Sequence, residues 1–219
     1  MPGVRWRVAW IPCILAAATV AFAGAVPKGG AGRARWMADS VVYRFAPESR
    51  LEVTTGKSGL FGFAGHSHRI RARTFEGTIV YVPGDPTQSR VDVVVPAESL
   101  EVLTPPDTAE IRKVTATMRS DVLQVDQYPE IRLTTKSVTP TPGGFRVVAA
   151  LTLHGETHEV PIDLGVELGA DTVRAGGEFS IKQTDFGIKP YSGGPGGTVK
   201  VADRVKFTIE VLGVREGKS

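Results

Sequence analysis

Leu151-Thr152-Leu153-His154-Gly155-Glu156-Thr157-His158 is the stretch on which the reading of the fold turns. It has the form of a hairpin: an apolar strand, a turn built on Gly155, then a second apolar strand. Glycine after His154 permits the positive φ that a tight hairpin needs. Thr157 is placed to close the turn with a side-chain hydrogen bond. Upstream, Phe145, Val147, Ala149, Leu151 and Leu153 share one phase of a period-2 pattern. Downstream, His158, Val160, Ile162, Leu164 and Val166 do the same. Strict alternation gives each strand one apolar and one polar face.

The pattern extends outward from the hairpin in both directions. Val41, Tyr43 and Phe45 alternate, as do His66, His68, Ile70 and Ala72 against Ser67, Arg69 and Arg71. Val91, Val93 and Val95 follow, then Ile131 and Leu133. Beyond the hairpin come Val173, Ala175, Gly177, Phe179 and Ile181, and finally Val205, Phe207, Ile209 and Val211. Turn clusters such as Pro83-Gly84-Asp85-Pro86 and Thr141-Pro142-Gly143-Gly144 separate the runs. Tyr128-Pro129 fixes the approach to one strand, because proline holds φ and restricts its predecessor. Asp185-Phe186-Gly187 reads as a turn or bulge, with Phe186 packing and Asp185 bonding local backbone. One helical interruption runs from Asp107 to Met118, with Asp107 as N-cap and Glu110 completing a capping box. Eight or more one-sided strands must close their edges as a sandwich or a barrel, and a barrel of about eight strands holds one small ligand.

The first 39 residues stand apart. Arg5 and Arg7 precede the apolar run Val8 to Phe22, and Ala21-Phe22-Ala23 supplies a small-x-small cleavage site, so residues 1–23 read as a signal peptide. The alternative is an uncleaved anchor, against which stand Pro12 and a run short of the ~20 residues that span a bilayer. Cys13 lies too deep in the apolar run, and follows the wrong residue, for lipid attachment. Residues 24–39 read as a linker, 40–214 as the domain and 215–219 as a tail. Cleavage would remove the sole cysteine, and with it disulfides, thiolate metal sites and cysteine nucleophiles. The formal charge of +3 would fall by two, leaving no strong electrostatic reason to bind nucleic acid.

The only clustering that suits metal or acid–base chemistry is the set of four histidines. His66, His68 and His158 share phase with inward apolar positions, and three imidazoles at one barrel end would suit a divalent metal. No His-Glu-x-x-His spacing supports this, and hydrogen bonding to backbone or to a ligand's polar end is the simpler use. The corresponding enzyme reading is a metal-assisted hydrolase or isomerase using His66, His68 and His158. No Gly-x-Ser-x-Gly elbow is present, and Glu98, Glu101 and Asp163 fall on polar faces or in loops. Ser192-Gly193-Gly194-Pro195-Gly196-Gly197 lacks the Gly-Lys-Ser/Thr ending of a phosphate loop, and suits a gate at an opening. Arg69, Arg71 and Arg73 form a basic stripe, either solvated or weakly attracted to anionic membrane during transient contact.

Several short pieces, in this order and spacing, resemble the YceI-like family of exported, lipocalin-like, polyisoprenoid-binding barrels. They are Gly59-Leu60-Phe61-Gly62-Phe63-Ala64-Gly65-His66, Phe75-Glu76-Gly77, Tyr128-Pro129-Glu130-Ile131, Leu151 to Thr157, and Gln183-Thr184-Asp185-Phe186-Gly187-Ile188. The resemblance covers about residues 40–214. It implies an all-β, extended antiparallel barrel of about eight strands, a short helix outside it, and an isoprenoid or similar long apolar lipid in the lumen. It also implies a periplasmic or secreted carrier, not an enzyme, with no cofactor; an oligomer remains open. Strand phase nominates the ligand-binding residues: Phe45, Ile70, Val93, Leu133, Val147, Leu151, Ile162, Phe179 and Phe207. His66, His68 and His158 join them as an inward-facing polar group.

Overall fold

Alternating residues favour sheet because successive side chains leave a strand on opposite faces, and one face here is apolar almost throughout. The computed structural model describes residues 40–57, 67–103, 108–193 and 199–217. The signal peptide, the linker, Cys13, the glycine-rich piece ending at His66, the Asp107 cap and residues 194–198 lie outside them. The strands are β1 (Val41–Phe45), β2 (Arg50–Lys57), β3 (Arg69–Ala72), β4 (Glu76–Tyr81), β5 (Arg90–Pro96) and β6 (Leu100–Val102). After helix α1 (Thr108–Thr117) come β7 (Glu130–Thr141), β8 (Gly144–Leu153), β9 (Glu156–Leu168), β10 (Thr172–Lys182), β11 (Ser192–Gly193) and β12 (Val199–Arg215).

Neighbours pair antiparallel in the order β1-β4-β5-β7-β8-β9-β10-β12, and β12 returns to β1, which closes a barrel of eight strands. Three of those strands are bent into two segments each. β12 is flanked along its length first by β2 and then by β1. The same division gives β3 with β4 and β5 with β6, so that β2, β3 and β6 form an upper extension of the lower ring. Ala46-Pro47, Arg73-Thr74 and a 3-10 turn at Ala97–Ser99 make the bends. The lower end is where the chain turns at residues 82–89, 142–143 and 169–171.

β6 would be an exposed edge, and the helical segment covers it. The Val102 N–H donates to Thr115 Oγ1 at 3.2 Å, and Arg119 donates to the Leu100 carbonyl from Nε at 3.2 Å and Nη2 at 2.9 Å. Satisfied backbone at an edge removes a template for pairing with another chain. The helix continues past Thr117 as a π-helical turn at Met118–Val122, so helical backbone runs beyond the expected Met118 boundary.

A second irregularity lies between β9 and β10. They pair only from Asp163 to Leu168, opposite Glu178 to Val173, and diverge above that point. Divergence begins beside Gly177, where a Cβ would stand 2.5 Å from the Asp163 carbonyl oxygen, so only glycine allows the approach. Pro161, which has no N–H to donate, sits in the half of β9 without a β10 partner. A 3-10 turn at Gln183–Phe186 fills the divergence, and Phe186, 1% exposed, packs in the main core cluster. Of the turn or bulge expected at Asp185-Phe186-Gly187, the structure has the turn, a 3-10 turn ending on Gly187 at φ 67. Its carboxylate anchor is Asp203, not Asp185: Thr184 donates its N–H at 2.9 Å and its hydroxyl at 2.8 Å. Those bonds hold the Asp203 carboxyl below the ordinary carboxylate range.

The hairpin forms as its sequence dictates. Leu153 pairs with Glu156 across a two-residue turn with His154 at φ 52 and Gly155 at φ 80, both in the left-handed region of a type I′ turn. Thr157 does not close the turn; its hydroxyl meets Thr152 Oγ1 at 2.8 Å, because those residues are register partners. The Tyr128 ring lies over Gly155, where a Cβ would meet it at 2.7 Å. Gly155→Ala is expected to cost about 1–3 kcal/mol from left-handed strain and displacement of Tyr128. Urea denaturation measures this, and a loss below 0.5 kcal/mol would show that the turn relaxes freely.

Candidate functional site

The barrel encloses an apolar cavity of about 700 Å³, within the range that holds small ligands. Its existence follows from how the inward residues are used. Val147, Leu151 and Ile162 are buried against neighbouring side chains, at 5%, 2% and 2% exposure. Ile70, Val93, Leu133 and Phe207 point inward on the same phase yet are only half-buried, since part of each faces the cavity. A filled core would bury both groups alike.

Nine apolar positions nominated from strand phase meet at this cavity. Phe45 contributes from β1, Ile70 from β3, Val93 from β5, Leu133 from β7, Val147 and Leu151 from β8, Ile162 from β9, Phe179 from β10 and Phe207 from β12. Phe179 and Phe207 are register partners and stack at 4.7 Å with 14° between rings. Phe45 meets Phe75 edge-on at 6.3 Å. Below them Tyr43, Val138 and Val173, all under 9% exposed, do not line the cavity, and the lower end is packed.

Polar lining residues gather at the upper end. His68 precedes β3, and its backbone carbonyl accepts the Thr55 N–H at 2.9 Å while its own N–H donates to Thr55 Oγ1 at 3.1 Å. Thr55 and His68 both line the cavity, with Gln183, Tyr191 and Lys200. The helical segment adds Glu110, Lys113, Val114, Thr117, Met118 and Val122. The helix thus closes part of the wall, a role that its placement outside the barrel did not anticipate. The spacing i, i+3, i+4, i+7, i+8 from Glu110 to Met118 carried the signal, since those residues share one helix face.

Of the described histidines nominated for the lumen, His68 lines the cavity and His158 does not. His158, although in phase with Val160 and Ile162, is exposed and absent from the cavity wall; its ring meets Phe186 edge-on at 4.9 Å. The physical reason is the divergence of β9 from β10, which sets the Gln183–Phe186 turn before that end of β9. His154 packs on Tyr128 at 4.2 Å, and its Nε2 is buried without a hydrogen-bond partner. His66 lies outside the described residues. Among the described residues no three histidine, cysteine or carboxylate side chains come together as metal ligands.

The arginine stripe is engaged in ion pairs. Arg71 donates from Nε to Glu52 at 2.7 Å, Arg69 lies 3.8 Å from the same carboxylate, and Arg73 pairs with Glu101. The pairing with Glu101 raises the Arg73 pKa further above its ordinary range. Asp163 pairs with Arg146 at 2.7 and 2.8 Å on the outer face, which lowers the carboxyl's pKa. Ser192 and Gly193 pair with Lys200 and Val199, and the rest of the glycine-rich stretch expected to act as a gate lies outside the described residues.

The sequence model described as the YceI-like domain matches residues 45–212. No curated protein matches the chain. Among solved structures, Burkholderia cenocepacia BcnA is similar at a TM-score of 0.61 and 16% identity, over 75% of this chain and 96% of that one. A polyisoprenoid-binding domain from Saccharophagus degradans, implicated in plant cell wall breakdown, is similar at 0.58 and 14% identity, over 80% and 98%. The Campylobacter jejuni YceI protein is similar at 0.54 and 16% identity, over 68% and 85%. At such identities the likeness concerns the fold.

Proposed function

This chain belongs to the YceI-like family, and on that premise we propose that it is an exported carrier of a polyisoprenoid or similar long apolar lipid. The observation that carries the reading is the apolar cavity of about 700 Å³, packed at its lower end and bordered by polar side chains at its upper end. A chain entering there leaves water for an apolar wall at about 0.8 kcal/mol per methylene, with no chemistry required of the protein. The Saccharophagus degradans neighbour, described as polyisoprenoid-binding, supports the choice of ligand. Export is supported by the charged, then apolar, then small-residue order of residues 1–23.

Affinity across prenols of increasing length tests this reading. It is expected to rise by up to about fourfold per methylene and then to plateau once the chain outgrows the cavity. Affinity independent of length would contradict burial in the lumen.

A further inference from the structure

We propose that the lumen reads a hydroxyl on its ligand, an O–H hydrogen-bond donor, through the side-chain carbonyl of Gln183; this rests on the carrier reading above. Among the described residues the buried polar side chains are Ser49, Thr55, Thr115 and Gln183. Two of them, Thr55 and Gln183, line the cavity. Thr55 has both of its functions in use, since Oγ1 donates to the His68 carbonyl at 3.4 Å and accepts the His68 N–H at 3.1 Å. Gln183, 8% exposed, uses only half of its amide: Nε2 donates to the Ala202 carbonyl at 2.9 Å. A carbonyl can only accept, so this bond fixes which end of the amide is which and leaves Oε1 as the free end. Among the described residues no group donates to that oxygen. It is not sealed in either, because among them the one enclosed side-chain nitrogen or oxygen without a partner is His154 Nε2.

Strand phase puts the amide on the inner face. Phe179, Ile181 and Gln183 alternate along β10 and its continuation and all line the cavity, while Ser180 and Lys182 between them are exposed. The irregularity of β12 between Val201 and Val205 spans Ala202, whose carbonyl takes Nε2. The backbone of Gln183 is tied as well: its carbonyl accepts the Ile188 N–H at 3.1 Å, and the adjacent Thr184 is anchored on Asp203. The acceptor is therefore set in place before a ligand arrives. Its neighbours in the wall, Ile181, Ile188 and Val201, are apolar. A ligand that fills this part of the lumen takes the oxygen away from water. An alcohol restores the lost bond by donating its O–H. A hydrocarbon, ether or ketone end has no proton to give and leaves the oxygen covered and unpaired, which weakens binding.

The test compares geranylgeraniol with its methyl ether, by competition against a fluorescent long-chain probe on the full chain. The two share a tail and an oxygen, and only the alcohol donates. The alcohol is expected to bind about tenfold more tightly. In Gln183→Met, which keeps the volume and removes the carbonyl, the ratio should approach one. The ether's extra methyl and any general loss of fit weigh on both sides of that comparison and cancel. A second readout needs no variant: with glutamine side-chain carbonyls labelled with carbon-13, one resonance of the parent should move downfield with the alcohol and not with the ether. Equal binding of alcohol and ether by the parent overturns the proposal, as does a preference that survives in Gln183→Met. So does a carbonyl resonance that answers both ligands alike. Failure of both long-chain ligands to bind removes the carrier reading itself, and this proposal with it.

Discussion

A Val93→Trp variant is expected to bind a long prenol about a hundredfold more weakly while folding almost as stably as the parent. Val93 lies between Gly77 on β4 and Leu133 on β7, and its side chain is one of those left half-buried at the cavity. An indole there has space to occupy, so the overpacking cost of about 1–3 kcal/mol for a tightly packed core should be largely avoided. What it removes is room for the ligand. Excluding about four methylenes at about 0.8 kcal/mol each costs roughly 3 kcal/mol, which is the hundredfold. Val93→Phe should give an intermediate loss. Fluorescence competition reads affinity and thermal melting reads the fold. Unchanged affinity with an unchanged melting temperature would mean that the lumen is not where lipid binds.

Phe186→Ala is expected to cost about 3–5 kcal/mol, among the larger effects a single substitution produces. Phe186 is 1% exposed, fills the divergence between β9 and β10, and packs among core residues that include Leu153, Ile181 and Ile188. It also supports the His158 ring. Truncation leaves a void that the Asp203 anchor of the turn prevents from collapsing fully. For a domain of this size each kcal/mol moves the melting point by about 2–4 °C, so a fall of roughly 6–20 °C is expected. A loss below 1 kcal/mol would show that the turn does not seal the wall.

Alternation made the barrel legible because period 2 is a property of each strand taken alone. Phe145 to Leu153 and Val205 to Val211 could be phased without knowing their neighbours, and the same phasing found the apolar cavity wall. What alternation does not encode is where strands bend or part. β1 and β2 continue one path along β12, yet the sequence shows only a Pro47-containing break between two runs. His158 illustrates the consequence. Its phase is that of Val160, but β9 has left β10 by that point, and the space before it belongs to Phe186. Lys113 escaped notice for a related reason: a helix read as lying outside a barrel gives no cause to inspect its inner face. Asp185 looked like the anchor of its turn, while the anchoring carboxylate, Asp203, is remote in sequence and adjacent only through the β10–β12 connection.

Carriage requires that the lumen hold a long apolar chain. Native mass spectrometry of the protein purified under mild conditions tests it most directly, before and after addition of a long prenol. The expected result is a one-to-one adduct with the mass of a long-chain lipid, or an empty protein that takes up one equivalent of the added prenol. A protein that emerges without adduct and refuses every added isoprenoid would contradict it.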